Sequence, residues 1–127
     1  MPIRIALGRF FKEHANFTDG RPIEADPNLT LVWVEDASRR VCAAALRQQE
    51  GPRRARLWNV VTDKTLRRQG WARLLLTRAF ANDRDQLYLY VLKGNEPARK
   101  MYMSLGFTNV GETIVNQKPA YDMRWIR

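Results

Sequence analysis

The spacing of apolar residues changes character halfway along the chain. In 29–35, Leu31 and Trp33 alternate with Thr30, Val32 and Val34, the period of two expected of a β-strand. The turn-like Asp36-Ala37-Ser38-Arg39 leads to a second strand over 41–48, and Glu50-Gly51-Pro52 leads to a third over 55–62. Together these predict an antiparallel meander. From Gly70 to Ala81 the period lengthens: Trp71, Leu74, Leu75, Ala79 and Ala72, Leu76, Phe80 form one broad apolar face at helical spacing. Residues 86–92, Gln-Leu-Tyr-Leu-Tyr-Val-Leu, are apolar on both faces, as a central strand between helices would be. Asn95 then caps a second helix with Pro97 in its first turn and Ala98, Met101, Tyr102 and Leu105 as its stripe. Gly106 ends that helix, and 107–113 and 120–126 read as closing strands. Before residue 29 the pattern is weaker. It predicts a short edge strand over 2–7, a helical turn or two over 10–15, and loop over 16–28. From residue 29 the order is β-β-β-α-β-α-β-β, an α/β (α+β) domain with a mixed sheet.

At 127 residues and 45% apolar composition the chain suits one domain with a real core, spanning 1–127. No apolar run approaches the roughly 20 residues of a membrane span, and the first residues do not read as a signal peptide. The single cysteine, Cys42, sits in an apolar run and reads as a buried small hydrophobe in a reducing compartment, so a cytoplasmic location is expected. The net charge is +9 and uneven: residues 1–63 hold 10 basic and 8 acidic side chains, residues 64–127 hold 12 and 5. Arginine supplies 17 of the 22 cations, and its planar donor fork suits phosphate. The charge therefore points to an anionic ligand, an anionic macromolecule, or a solvated basic surface.

Arg67-Arg68-Gln69-Gly70-Trp71-Ala72 runs from the meander into the first helix. A helix N-terminus offers unpaired N–H groups and partial positive charge, so small residues at Gly70 and Ala72 would let phosphate reach bare backbone. Neither a Walker motif nor a dinucleotide fingerprint is present. The spacing Arg67-x-x-Gly70-x-Ala72 resembles the Q/R-x-x-G-x-G/A signature of the GNAT superfamily of N-acetyltransferases. Downstream, Asn95-x-x-Ala98-x-x-x-Tyr102-x-x-x-Gly106-Phe107 resembles that family's second motif, and Tyr121-Asp122-Met123 its usual closing strand. The likeness covers roughly 29–127.

This resemblance implies a mostly antiparallel sheet flanked by helices, acetyl-CoA as acyl donor, no metal, and transfer of an acetyl group to an amine. It implies that Arg67, Arg68, Gln69, Gly70, Trp71 and Ala72 hold the pyrophosphate, while Val60, Val61 and Thr62 bond the pantetheine arm and thioester carbonyl. Asn95 and Arg99 would help hold the cofactor, and Tyr102 would stand at the sulfur as catalytic acid. An amine of pKa near ~10.4 must lose a proton before attack, and the departing thiolate, near ~8.5, accepts one from a phenol. Two departures stand out. Many family members place a glutamate base on the fourth strand, but 54–62 contains no acid, leaving Asp63, Glu35, Asp36 and Glu50 as unranked candidates. The N-terminal region is also shorter than the family's strand and two helices, implying an open cleft, a macromolecular acceptor, or a homodimer that completes the site. A basic chain repels polyamines, so the expected partner is an amine on a protein or peptide. The rivals are an amine attached to nucleic acid, such as aminoacyl-tRNA, and a non-catalytic module binding CoA or a partner protein. No membrane partner is implied.

Overall fold

The computed structural model describes residues 4–8, 27–62 and 69–125. Seven strands form one sheet: β1 (Arg4–Gly8), β2 (Leu29–Glu35), β3 (Val41–Gly51), β4 (Arg54–Thr62), β5 (Gln86–Leu92), β6 (Phe107–Val115) and β7 (Lys118–Trp125). Their spatial order is β1-β2-β3-β4-β5-β7-β6, with β1 and β6 at the edges. Every ladder is antiparallel except β4–β5. The expected meander, mixed sheet and edge strand at the N-terminus are all present. The helical turn expected over 10–15 and most of the loop over 16–28 lie outside the described residues.

Two helices cross one face of this sheet. The first, α1 (71–79), follows β4; α2 (Glu96–Leu105) follows β5. Strand side chains alternate between faces, and here both faces are apolar near the centre. On the helix side, Val32, Val34, Leu57, Leu87, Leu89 and Met123 pack with Leu75, Leu76 and Phe80 of α1 and Tyr102 of α2. On the opposite side Leu29, Leu31, Trp33, Ala44 and Leu46 form a second cluster, joined by Val41 and Trp58. Each fully buried Leu or Val contributes about 1.5–3 kcal/mol, so double-sided burial explains why β2 and β3 read as nearly continuous apolar runs.

The sequence places the first helix over 70–81, but the regular α-turn covers only Trp71–Leu74 and gives way to a π-turn over Leu75–Ala79. A π-turn is closed by i→i+5 hydrogen bonds. Leu75, Leu76 and Phe80 share the main core here and are among the most buried of the described residues. The Thr77 hydroxyl donates to the carbonyls of Arg73 (2.9 Å) and Leu74 (3.4 Å), groups whose ordinary helical bonds the widening disturbs. The second helix matches its expectation: the Asn95 side-chain oxygen accepts from the Ala98 N–H at 3.3 Å, and Gly106 closes it at φ 109°.

Candidate active site

Parallel pairing of β4 with β5 is short. It runs from Arg54 opposite Gln86 to Leu57 opposite Leu89 and stops. Beyond that point β5 pairs with β7 through Leu92, while Val61 and Thr62 of β4 pair only with β3. The carboxyl ends of the two strands therefore diverge, and the β4 edge facing β5 has no ladder partner there. Each strand leads into a helix start, Gly70 after β4 and Asn95 after β5. In open α/β sheets, ligands bind outside the carboxyl ends of such neighbouring parallel strands.

Gly70 caps α1 at φ 82°, the left-handed region that costs other residues about 1–2 kcal/mol. A Cβ built there would meet nothing within 4 Å. The first helical bond is donated by Leu74 N–H to Gly70 O at 2.9 Å, so the N–H groups of Trp71, Ala72 and Arg73 have no acceptor within the helix. Beside them lies an open pocket of about 270 Å³ lined by Thr62, Gly70, Trp71, Ala72, Arg73 and Met101. Arg73 Nη2 donates to Ser104 Oγ at 2.7 Å, which donates to Met101 O at 2.6 Å, tying the start of α1 to α2 across this pocket. Open backbone donors, an unobstructed glycine and a neighbouring strand edge fit a pyrophosphate followed by an amide-bearing chain, the chemistry of CoA.

The expected cofactor residues do not all gather here. Thr62, Gly70, Trp71 and Ala72 line the pocket, and Gln69 is exposed beside it. Val60 is half-buried against the main core, and Val61 contributes its backbone pairing to Ala44. Arg67 and Arg68, with the candidate base Asp63, lie outside the described residues. Asn95 spends its side-chain oxygen on the helix cap. Arg99 turns to Glu96 (3.2 Å) and to the Tyr121 ring (5.3 Å from the centroid), away from the residues that line the pocket. Two buried donors, Trp71 Nε1 and Arg99 Nε, have no hydrogen-bond partner among the described residues.

Tyr102 is buried, 7% exposed, in the main core with its ring edge-on to Phe107 at 5.6 Å. Burial disfavours the phenolate and pushes its pKa up to about 12. The hydroxyl has no hydrogen-bond partner among the described residues. It follows Met101 of the pocket wall by one position on α2.

None of the described candidate bases is free. Glu35 accepts from Trp33 Nε1 at 2.9 Å, and Asp36 closes its own turn by accepting from the N–H groups of Ser38 and Arg40. Glu50 pairs with Arg54 (3.2 Å) and Arg56 (3.1 Å). The sequence reading missed the group that organises this face. Arg56, 2% exposed, also reaches Asp122 of β7 at 2.9 Å and lies 3.9 Å from the Tyr90 ring centroid. Burial pulls its pKa down, and the Asp122 and Glu50 carboxylates together outweigh that and hold it raised. Tyr90 meets Trp58 edge-on at 5.4 Å where β4 and β5 part, on the face away from the helices. The available signal was a charged residue inside an apolar strand, which requires a buried partner.

The family model for the acetyltransferase (GNAT) family matches residues 4–107. No curated protein matches the chain by sequence. Among solved structures, it resembles a spermidine N-acetyltransferase from Vibrio cholerae in complex with CoA and spermine, at 17% identity and TM-score 0.74, covering 94% of each chain. The spermidine/spermine N-acetyltransferase of the same organism in complex with manganese ions aligns at 18% identity and TM-score 0.73, covering 94% of this chain and 91% of that one. A chimera of the Vibrio cholerae enzyme with hSSAT gives TM-score 0.76 at 17% identity, covering 96% and 95%. Among the described residues no group of His, Cys, Asp and Glu could hold a metal ion. No described helix is long and apolar enough to cross a membrane.

Proposed function

The chain belongs to the acetyltransferase (GNAT) family, and from that premise we propose that it acetylates an amine carried by a protein or peptide of neutral or acidic charge. It is an N-acetyltransferase whose acyl donor is acetyl-CoA. In this reading the amides of Trp71, Ala72 and Arg73, beside the bare backbone of Gly70, receive the pyrophosphate. The unpartnered edge of β4, including the Val61 N–H, receives the pantetheine arm and steadies the oxyanion formed on attack. Tyr102 donates to the leaving sulfur. The two described helices cover one face, and in this reading the amine enters the strand opening from the other, past Trp58 and Tyr90.

One observation carries the choice of acceptor: each acid among the described residues is already engaged. On the entry face Glu50 and Asp122 are both tied to Arg56, and Glu35 accepts from Trp33. Asp83 and Asp85 bind Arg47, Glu96 binds Arg99, and Glu112 binds Lys93. A polycation finds no uncompensated carboxylate among these to hold its distal charges, and the chain as a whole carries +9. The amine proton must pass to water or be shed as the site desolvates the amine. A polyamine acceptor is the second reading, favoured by the fold relative bound to CoA and spermine.

Thiol release from acetyl-CoA separates the readings. The panel is spermidine, spermine, lysine-containing peptides of neutral and acidic charge, and an aminoacyl-tRNA. A kcat/KM for peptide at least tenfold above that for spermine is expected. Spermine or aminoacyl-tRNA as the best substrate overturns the assignment, and thiol release with none of them overturns it in favour of a binding module.

A further inference from the structure

The face by which the amine would enter carries a basic and aromatic patch just below the strand opening. Arg54 lies flat on Tyr88, its guanidinium carbon 3.8 Å from the ring centroid, with 44% of its side chain exposed. Register places Arg124 of β7 directly opposite Tyr88, and Tyr88 opposite Arg56 of β4, so all three share this face. Tyr88 is fixed from below by its hydroxyl bond to Gln86 Oε1 at 3.2 Å. Arg54 uses Nε toward Glu50, which leaves its two terminal nitrogens for an incoming group. At the centre of the patch Arg56 faces two carboxylates, Glu50 and Asp122. Arg54 and Arg124 flank them as its rim, so these five groups together leave one excess positive charge.

Tyr88 lies two residues before Tyr90, which marks the opening, a span of about 6.6 Å along a strand. An acceptor chain whose amine sits in the opening lays its next residues over this rim. Stacking holds the Arg54 fork in place before anything binds, which lowers the ordering cost of a bidentate carboxylate contact. We propose that Arg54 and Arg124 read acidic residues one or two positions from the acetylated amine, making the enzyme selective for acidic peptide segments. The inference rests on the peptide reading of the acceptor given above. A nucleic acid fits less well, because two clustered cations do not track a phosphate backbone.

The test compares three synthetic peptides with one lysine amine each, flanked by glycine, by glutamate or by lysine. Thiol release is followed with the wild-type chain and with Arg54→Gln, Arg124→Gln and the double variant. The glutamate peptide should exceed the glycine peptide in kcat/KM by about tenfold at low salt, the worth of two partly shielded charge-assisted contacts. The preference should lie mainly in KM, fade as salt approaches about 1 M, and fall towards one in the double variant. Acetyl-CoA affinity measured by calorimetry confirms that each variant is folded. Equal rates on the glutamate and glycine peptides overturn this inference and leave the peptide reading standing, as does a preference that survives the double substitution. Failure on all three peptides with turnover of spermine overturns both. An RNA oligonucleotide that binds through Arg54 and Arg124, while an acetylated glutamate peptide does not bind, reassigns the patch to nucleic acid.

Discussion

Replacing Tyr102 with Phe separates packing from proton donation, because the ring stays and only the hydroxyl goes. With its pKa near 12, the phenol stays protonated throughout the neutral range. The same shift makes it a reluctant acid. A thiolate near ~8.5 lies about 3.5 units below it, so complete proton transfer would run uphill by about 5 kcal/mol at 1.36 kcal/mol per unit. In the proposed mechanism the hydroxyl would act mainly by hydrogen-bonding the sulfur as charge develops, which sets Tyr102→Phe at the low end of acid catalysis, about tenfold in kcat with KM for acetyl-CoA little changed. A second readout follows from linkage. The folded pKa is raised, so the contribution is intact below pH ~10 and is lost as pH rises from there towards 12, because the unfolded chain ionises first. Wild type should lose up to about 2.7 kcal/mol across that interval which Tyr102→Phe does not lose. Urea unfolding of both at pH 8 and pH 11 measures the difference, and stopped-assay kcat on the best acceptor measures the first effect. Full kcat in the Phe variant makes Tyr102 a packing residue only. A stability difference that stays flat between pH 8 and 11 refutes its burial.

At Gly70 the left-handed backbone and the open space around it make separate predictions. Gly70→Ala and Gly70→Glu should each lose about 1–2 kcal/mol to backbone strain, but only Glu, which brings bulk and negative charge to the helix start, should weaken acetyl-CoA at least tenfold by calorimetry; unchanged affinity in a folded Glu variant removes the pyrophosphate assignment. Arg56→Met leaves Glu50 and Asp122 on the sheet without their shared cation, and urea titration should show a loss of about 3–5 kcal/mol, with Arg56→Lys losing less; a loss below about 1 kcal/mol would mean that water already screens this cluster.

How much of this was written locally can be read residue by residue. Strands 29–35 and 86–92 coincide with β2 and β5, because short apolar, β-branched and aromatic runs bounded by turn residues are a local signal. Asn95 as cap and Gly106 as terminator are equally local, since each satisfies groups within four residues of itself. The glycine that opens the pocket was legible for the same reason. The boundary of the first helix was not. Periodicity sees an apolar face and does not distinguish α from π pitch, whereas Leu75, Leu76 and Phe80 meet one core through a π-turn.

The site was legible as a motif but not as a geometry. The family resemblance implied Arg99 for the cofactor; its guanidinium lies over Tyr121 beside Glu96, contacts that spacing does not contain. The pKa of Tyr102 depends on how closely neighbouring elements shut out water, which no window of sequence contains. The divergence of β4 and β5 follows from which strands lie side by side, and β7 rather than β6 took the place next to β5. Arg56 reaches across β5 to Asp122, 66 positions away. Local chemistry thus determined the strands, the second helix with both its ends, and the glycine turn that opens the first helix. Long-range packing decided where the strands part, where the first helix changes pitch and which carboxylates are neutralised, because those depend on contacts between residues that only the folded chain brings together.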